Sequence, residues 1–294
     1  MTTAKAKILN LPIGQVSYRH RGSGARKILF FHGFPGSSSQ IQIFEKFIQS
    51  HDLEVLSFDR PGYNQTILKN DRLAAHDLPA TLELAREFVQ SFGWKNFEIF
   101  SVSGGTPSAL SFAQKFPHSV LGLHVVCGLG ALQELSVGLH YRKSILWGLR
   151  ILPFTPGWIL KKALLSSARR NQRAQNPLLN YFLPSSKTDF DFMSLQEVRQ
   201  TLNISLTEAM AQNALGPKQD ARVFLSNWGE KLKSFSHPIH FWHGEEDHVL
   251  PHQMSERMAE IIPKARFRKI PGEGHISLPG RSMKTILDDA PEAP

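Results

Sequence analysis

Ser103 is the residue whose neighbours most clearly suggest a chemical role. It stands between Ser101 and Gly105, after an apolar run at 96–102 that predicts a strand and before an apolar helical pattern at 106–115. A sharp turn from strand to helix requires small residues on both sides, and it lifts a serine hydroxyl above the edge of a sheet. The helix N-terminus behind the serine supplies N–H groups where an oxyanion would form. The pattern therefore predicts a nucleophilic serine.

A nucleophilic serine needs a base, and the base needs an acid that orients it. His275 follows the last predicted strand in a glycine-rich loop, and it is the predicted base. Asp247 lies in the loop after the preceding predicted strand, and it is the predicted acid. Glu245 or Glu246 of the same loop would take this place if the loop followed a different path.

The negative charge that develops during attack on a carbonyl needs N–H donors. The backbone amides of Phe34 and Gly104 are the predicted donors. Phe34 lies in His32-Gly-Phe-Pro-Gly36, where glycine and proline let the backbone turn inward after a predicted strand. Phe34, Trp147 and Trp158 are also the predicted apolar lining of a substrate pocket.

Strand and helix patterns alternate along most of the chain. Apolar strand patterns occur at 6–10, 15–20, 27–31, 54–58, 96–102, 120–127, 238–242 and 266–270. Helical periodicity occurs at 40–49, 78–92, 106–115 and 253–262. This alternation predicts an α/β protein with a mostly parallel sheet and helices on both faces.

Between about 130 and 217 the patterns are helical only, and Ser194-Leu-Gln-Glu197 fits a helix-capping box. We therefore predict three parts, 1–129 and 218–294 forming the α/β core and 130–217 a helical insertion. The net charge of +9 belongs to the insertion, because no acidic residue occurs between Glu134 and Asp189. Nine basic residues lie there: Arg142, Lys143, Arg150, Lys161, Lys162, Arg169, Arg170, Arg173 and Lys187.

Composition limits the classes of protein that fit. The 294 residues are 41% hydrophobic and 20% charged, which is ordinary for a soluble globular protein. The single cysteine, Cys127, lies in an apolar run and is predicted to be a buried thiol, with no partner for a disulfide. No signal peptide or bilayer-length apolar run is evident, so we expect a cytoplasmic protein.

Together these segments resemble the alpha/beta hydrolase superfamily over nearly the whole chain. The matching segments are His32-Gly-Phe-Pro-Gly36, Asp59-Arg-Pro-Gly62, Ser101-Val-Ser-Gly-Gly105, Trp242-His-Gly-Glu-Glu-Asp247 and Gly274-His275. Their order of serine, aspartate and histidine is that of the superfamily. Ser101 departs from the usual glycine, and we expect strain there rather than loss of the turn. The resemblance implies an eight-stranded sheet and an all-helical cap over the site.

The resemblance also implies a mechanism. His275 deprotonates Ser103, which attacks an acyl carbon, while Asp247 stabilises the imidazolium and the two backbone amides hold the oxyanion. Water then releases the acyl group, so that no metal or cofactor is needed. A carboxylic ester hydrolase is the main hypothesis. Hydrolysis of C–C bonds in acidic diketone-type substrates, and a non-catalytic ligand-binding role, are the alternatives.

The basic insertion predicts the kind of partner. A small acyl substrate with a carboxylate or phosphate suits its charge, and so does an anionic membrane surface. Trp147, Phe154 and Trp158 accompany the basic residues, while Lys162, Arg169 and Arg173 share one helix face at about 100° per residue. Weak association with anionic membranes is one hypothesis for this segment, and a solvated basic face over an apolar interface with the core is the alternative. No nucleic-acid recognition motif accompanies the charge, so nucleic acid is not an expected partner. The segment around Asp59 and Arg60 is interpreted as an ion pair in a structural turn.

Overall fold

The computed structural model describes residues 5–69, 78–170 and 186–289. One sheet carries Ser103, Asp247 and His275 in the segments that follow its strands. The side chains of Leu135 and of residues 164–170 are not described. The strands are β1 Lys7–Asn10, β2 Gly14–Gly22, β3 Arg26–Phe31, β4 Leu53–Phe58, β5 Ile67–Leu68, β6 Phe97–Val102, β7 Val120–Val126, β8 Ile239–Gly244 and β9 Ala265–Ile270.

The strand order in the described residues is β1-β2-β4-β3-β6-β7-β8-β9, and the two-residue β5 pairs with β2. The first three strands of this order pair antiparallel, and from β4 to β9 every neighbouring pair is parallel. The predicted mostly parallel sheet of eight strands is confirmed, with β5 as an addition. The chain moves outward from β3 to β4 and then returns to place β6 on the other side of β3. A sheet of this kind opens a crevice at that reversal, at the carboxyl ends of its strands.

Twelve α-helices lie in the described residues. They are α1 Glu45–Ser50, α2 Leu78–Ser91, α3 Thr106–Lys115, α4 Leu135–Gly138, α5 Lys143–Ile151, α6 Gly157–Arg170, α7 Lys187–Ser194, α8 Gln196–Ala209, α9 Leu215–Leu225, α10 His252–Ile261, α11 Ser277–Arg281 and α12 Met283–Asp288. Short 3₁₀ helices include Ser38–Phe44 before α1 and Leu152–Phe154 after α5. None of the described helices is long and apolar enough to cross a bilayer.

Buried side chains pack on both faces of the sheet because successive residues of a strand point to opposite sides. Leu29 and Phe31 of β3 join a core formed with α2, α3 and α10. Ile28 and Phe30 join a second core formed with α1, α11 and α12. The prediction of helices on both faces is therefore confirmed.

The predicted core strands agree with the structure within one or two residues at each end. The capping box predicted at Ser194–Glu197 is wrong, because α8 has Leu195 as its N-cap and no side-chain cap bond. A serine cap occurs instead at Ser186, whose Oγ accepts from the Asp189 amide at 3.1 Å. The described residues between β7 and β8 contain helices and no strand. The predicted boundary between 217 and 218 falls inside the unbroken helix α9.

Two buried ion pairs join this helical segment to the sheet. Arg60, which follows β4, donates to both oxygens of Asp220 in α9 at 3.2 and 2.5 Å. Arg19 of β2 donates to both oxygens of Glu208 in α8 at 3.1 and 2.7 Å. Burial of a carboxylate is tolerated where cations and hydrogen bonds replace its water.

The predicted pair between Asp59 and Arg60 is wrong. Asp59 instead accepts from the Ser17 hydroxyl at 2.7 Å and from the Ser38 amide at 2.5 Å. Arg60 turns away toward Asp220, a partner 160 positions along the chain. Both residues still shape the carboxyl edge of the sheet, as the sequence suggested.

Removal of the Asp220 carboxylate tests how strongly the buried pairs hold the helical segment. Asp220→Ala leaves the Arg60 guanidinium, 2% exposed, without its counter-ion, and we expect the free energy of unfolding to fall by about 3–5 kcal/mol. Lys46 and Glu197 also link the first part of the chain to the segment, but their side chains are 69% and 54% exposed. Glu197→Ala should therefore lower the free energy of unfolding by less than about 1 kcal/mol. Urea denaturation measures the loss of stability in both variants. Equal losses would contradict the conclusion that the buried Arg60–Asp220 pair holds the helical segment more strongly than the exposed pair.

Candidate active site

The three side chains predicted for catalysis come from three neighbouring parts of one sheet edge. Ser103 follows β6, Asp247 follows β8 and His275 follows β9. These strands are parallel, so their carboxyl ends lie at the same edge. The fold therefore brings together residues that are up to 172 positions apart in the chain.

A continuous chain of hydrogen bonds joins them. His275 Nε2 lies 3.0 Å from Ser103 Oγ, and His275 Nδ1 lies 2.7 Å from Asp247 Oδ2. Both distances are within normal hydrogen-bond range. With the ring proton on Nδ1 donated to the carboxylate, Nε2 is left to accept the proton of the serine hydroxyl. This is the geometry that a serine nucleophile with its base and orienting acid requires.

The loop after β8 offers three carboxylates, and one of them contacts the histidine. Glu245 pairs with Lys269 at 3.1 Å, and Glu246 accepts from Thr188 at 3.3 Å. Asp247 is the carboxylate on His275. The alternative left open by the sequence is thereby decided in favour of Asp247 as the neighbour of the ring.

The serine itself occupies the strained position of the turn. Ser103 has φ +50°, in the left-handed region that non-glycine residues rarely adopt. A Cβ at Gly105 would lie 2.6 Å from the carbonyl oxygen of Phe31, so the second flanking position cannot carry a side chain without movement. Ser101 lies in β6 and is not among the positive-φ residues, so the backbone strain falls on Ser103. The Ser101 hydroxyl is buried with no partner in the described structure.

Four donors surround the Asp247 carboxylate. They are His275 Nδ1, the amides of Val249 at 2.9 Å and Leu250 at 2.8 Å, and His243 Nε2 at 2.9 Å, whose single proton is shared with the Leu250 carbonyl. Burial opposes ionisation, but the charge of His275 and the hydrogen bonds of both histidines outweigh it and hold the pKa of Asp247 well below its usual range. Asp247 is therefore an anion whose orientation is determined from every side.

A second carboxylate holds the backbone of the histidine loop. Asp189 of α7 accepts from the amide of His275 at 2.9 Å and from the amides of Ile276 and Ser277 at 2.8 Å each. Asp189 is fully buried, and a Cβ at Gly274 would collide with its side chain. The helical segment thus determines where the loop that carries His275 runs.

The two carboxylates, Asp247 and Asp189, also affect the pKa of His275. Burial lowers the pKa of His275, but Asp247, by its charge and hydrogen bond, and Asp189, by its charge, outweigh burial and raise the pKa above the ordinary imidazole value. An elevated pKa makes the ring a stronger base in its neutral form.

The predicted oxyanion donors are next to each other. A Cβ at Gly104 would collide with Phe34 and with Phe224 of α9, so both residues press on this glycine. Gly104 is the second residue of the 3₁₀ helix Ser103–Gly105, a position whose N–H has no partner within its own helix. The structure records no hydrogen bond from the Phe34 amide to any described residue. The rings of Phe34 and Phe224 pack edge to face at 5.1 Å beside the serine.

His32 supports the loop that carries Phe34. Its Nδ1–H donates to the Gly33 carbonyl at 2.9 Å, and its own carbonyl accepts from Arg60 Nη1 at 2.6 Å. Burial and the Arg60 charge lower the pKa of His32 well below its usual value, so the ring is neutral. The Arg60–Asp220 pair therefore also supports the predicted oxyanion loop.

One buried cluster in the described residues has the side chains of a metal site, namely Cys127, His243 and Asp247. His243 already binds the Ser255 hydroxyl and the Leu250 carbonyl through its two nitrogens. Burial, together with the charge of Asp247, raises the pKa of the Cys127 thiol well above its usual value. The arrangement suits a hydrogen-bonded support for Asp247, and the predicted burial of Cys127 is confirmed.

Trp147 and Trp158, the other residues predicted to line the pocket, are 61% and 64% exposed in the described structure. Phe34 and Phe224 lie next to the serine. The sequence could not distinguish these aromatics because it does not reveal which face of each helix is covered.

Three residues with a part in the site were missed from sequence. Phe224 and His243 carried no distinguishing signal. Asp189 carried one, since it is the first acidic residue after the long acid-free stretch and stands three positions after Ser186 in a capping pattern.

Asp189→Asn tests the positioning of His275. The substitution removes a negative charge near the ring and turns one acceptor oxygen into a donor that faces an N–H. We expect a lower pKa of His275 in an NMR titration of the ring, and a free energy of unfolding lower by about 1–3 kcal/mol. Asp191→Asn, on the exposed side of the same helix, is the matched control and should change neither quantity. An unchanged His275 pKa in Asp189→Asn would refute the electrostatic part of this role.

Comparison with solved structures agrees with this architecture. A thermophilic esterase from Thermogutta terrifontis is 16% identical, with a TM-score of 0.67 over 97% of this chain and 96% of that chain. An esterase from Exiguobacterium antarcticum is 15% identical, with a TM-score of 0.69 over 96% and 97%. An enol-lactonase from Burkholderia xenovorans LB400 is 14% identical, with a TM-score of 0.69 over 96% and 98%. At these identities the likeness shows the fold.

No curated protein sequence matches the chain. The sequence profile of the alpha/beta hydrolase fold family matches residues 27–281, which include every residue of the candidate site. Together with the strand order and the position of the serine turn, this match shows that the chain belongs to the alpha/beta hydrolase fold family.

Proposed function

We propose that the protein is a serine hydrolase that cleaves carboxylic esters through an acyl-enzyme. The observation that carries the proposal is the hydrogen-bonded chain from Ser103 through His275 to Asp247. The named esterases and the enol-lactonase with the same fold support ester cleavage as the reaction class.

In the proposed first step, His275 Nε2 takes the proton of Ser103 as the oxygen attacks the acyl carbon. The imidazolium that forms lies against the Asp247 anion, which stabilises its charge. The carbonyl oxygen of the ester becomes negative as its double bond opens, and it is held by the amides of Phe34 and Gly104. Two backbone donors that are already in place cost no reorganisation when this charge develops.

Acylation is completed when His275 gives its proton to the alkoxy oxygen, the bond from the acyl carbon to that oxygen breaks, and the alcohol leaves the acyl-enzyme. A water molecule then takes the place of the alcohol, loses a proton to the same nitrogen and attacks the acyl-enzyme. His275 then returns this proton to Ser103 Oγ as the acyl–serine bond breaks, which releases the acid and restores both residues. The chain's own residues supply every proton transfer in this scheme, and the acyl portion of the substrate lies against Phe34 and Phe224.

Loss of the Ser103 hydroxyl should abolish the reaction. We expect Ser103→Ala to lose labelling by a fluorophosphonate probe and to lower kcat/KM on p-nitrophenyl esters by at least about 10³-fold. Ser101→Ala keeps a small residue in the turn and is the matched control, with labelling retained. Short and long acyl chains in the same assay define the size of the substrate.

Other outcomes point elsewhere. Ester hydrolysis that persists in Ser103→Ala would show that the site is wrongly assigned. Labelling of Ser103 without turnover of any ester would favour a C–C hydrolase or a ligand-binding protein, and cleavage of an acidic diketone separates these two.

The pH dependence follows from the base. Because His275 must be neutral to accept the serine proton, kcat/KM should rise with pH through an apparent pKa above that of an ordinary imidazole. In Asp247→Asn the carboxylate no longer favours the protonated ring, so the apparent pKa should move lower and the plateau should fall. A pH profile of kcat/KM for both proteins measures this. A wild-type apparent pKa below the ordinary imidazole value would contradict the proposed base.

A further inference from the structure

Exposed apolar side chains concentrate in one short part of the chain. Eleven large hydrophobic residues are exposed in the described structure, and six of them lie between residues 139 and 159. The six are Leu139, Trp147, Ile151, Phe154, Trp158 and Ile159. Phe154 is 85% exposed, and the two tryptophans are more than half exposed. A concentration of exposed apolar surface of this kind marks an interaction site in soluble proteins.

Helix α5 shows that this exposure is organised. At 3.6 residues per turn, Lys143, Trp147, Arg150 and Ile151 fall within an arc of about 100°. All four are exposed, and Leu149 on the opposite side is buried in the core. The helix packs its inner side on α9 and turns an aromatic and basic face outward.

The same composition continues into the next helix. Phe154 ends the 3₁₀ helix Leu152–Phe154, and α6 begins three residues later. Trp158 is followed at helical spacing by Lys161 and Lys162, and all three are exposed. We call the exposed residues Trp147, Ile151, Phe154 and Trp158, together with Lys143, Arg150, Lys161 and Lys162, the aromatic-basic surface.

The charge of this surface is uncompensated within the described structure. None of its four cations forms an ion pair with a described residue, and no acidic residue occurs in the sequence between Glu134 and Asp189. The side chain of Arg169 and all of Arg173, which the sequence placed on the same face as Lys162, lie outside the described residues.

We infer that the aromatic-basic surface docks the protein on an anionic lipid bilayer. Tryptophan and phenylalanine side chains are suited to the boundary between headgroups and acyl chains, and lysine and arginine attract the anionic headgroups around them. A protein partner could use the aromatics, but unpaired cations interleaved with them match a uniformly anionic surface better. Helix α5 packs its inner side on α9, whose Phe224 presses on Gly104 beside Ser103, so the helix that would dock is in contact with the helix that borders the serine.

The test is partitioning onto vesicles of phosphatidylcholine alone and of phosphatidylcholine with phosphatidylglycerol. The Ser103→Ala protein is used alongside the wild type, so that hydrolysis cannot alter the lipid. We expect binding to the anionic vesicles, weak binding to the neutral ones, and loss of binding as salt is raised. A blue shift of tryptophan fluorescence should accompany binding.

Two variants separate charge from apolar contact. Lys143→Glu combined with Lys161→Glu and Lys162→Glu should lower the partition coefficient at least about tenfold. Trp147→Ala combined with Phe154→Ala and Trp158→Ala should lower it and abolish the blue shift. The matched control combines Lys95→Glu, Lys231→Glu and Lys233→Glu. These lysines are exposed and precede β6 and β8 at the opposite edge of the sheet. It makes the same change in net charge and should bind vesicles like the wild type.

Three results would overturn the inference. They are equal binding to both kinds of vesicle, equal loss of binding in the control, and no binding by the wild type. If the wild type self-associates in sedimentation but does not bind vesicles, and the aromatic variant no longer self-associates, the surface binds a second copy of the chain. Because the readout is binding, these results are independent of whether the proposed ester hydrolysis is correct.

Discussion

A carboxylate that leaves water must be given donors or cations in return, and this requirement joins the helical segment to the sheet. The segment contributes three such carboxylates, from Asp189, Glu208 and Asp220. Asp189 receives three backbone amides, while the other two receive the guanidinium groups of Arg19 and Arg60. The donors come from β2 and from the loops at the carboxyl edge of the sheet. The segment is therefore joined to the edge that carries the candidate site.

The same interactions determine the geometry of the site. Asp189 holds the loop of His275, and Asp220 holds Arg60, which binds the His32 carbonyl next to the predicted oxyanion loop. The strained turn at Ser103 is set from the sheet side by the close approach of β3 at Gly105. Small errors of position at a reacting centre are costly in rate, so a site built from three distant loops benefits from supports on both sides.

The local patterns predicted the strands and the order of the chemical groups well, because apolar runs and turn residues are local properties. The local patterns failed where the partner of a charged or polar side chain depended on how distant elements pack together. Arg60 has an acidic neighbour at Asp59 but pairs with Asp220, and Ser186 rather than Ser194 caps a helix. Trp147 and Trp158, which the sequence predicts as pocket lining, are more than half exposed in the structure. The presence of a charged or aromatic residue in the sequence does not reveal whether its side of the helix packs on another element or faces solvent.

Local patterns in the sequence were enough to predict that a serine stands on a tight strand-to-helix turn and that an aspartate and a histidine follow later strands in that order. The sequence also determined the concentration of positive charge in one segment. The packed structure was needed to show that Asp247, rather than Glu245 or Glu246, contacts His275, and that Asp189 binds the backbone of the loop that carries His275. It also decided that the aromatic residues of the basic segment face outward. The reason is physical: composition and turn chemistry act over a few residues, whereas hydrogen-bond partners and burial depend on which distant elements the sheet brings together.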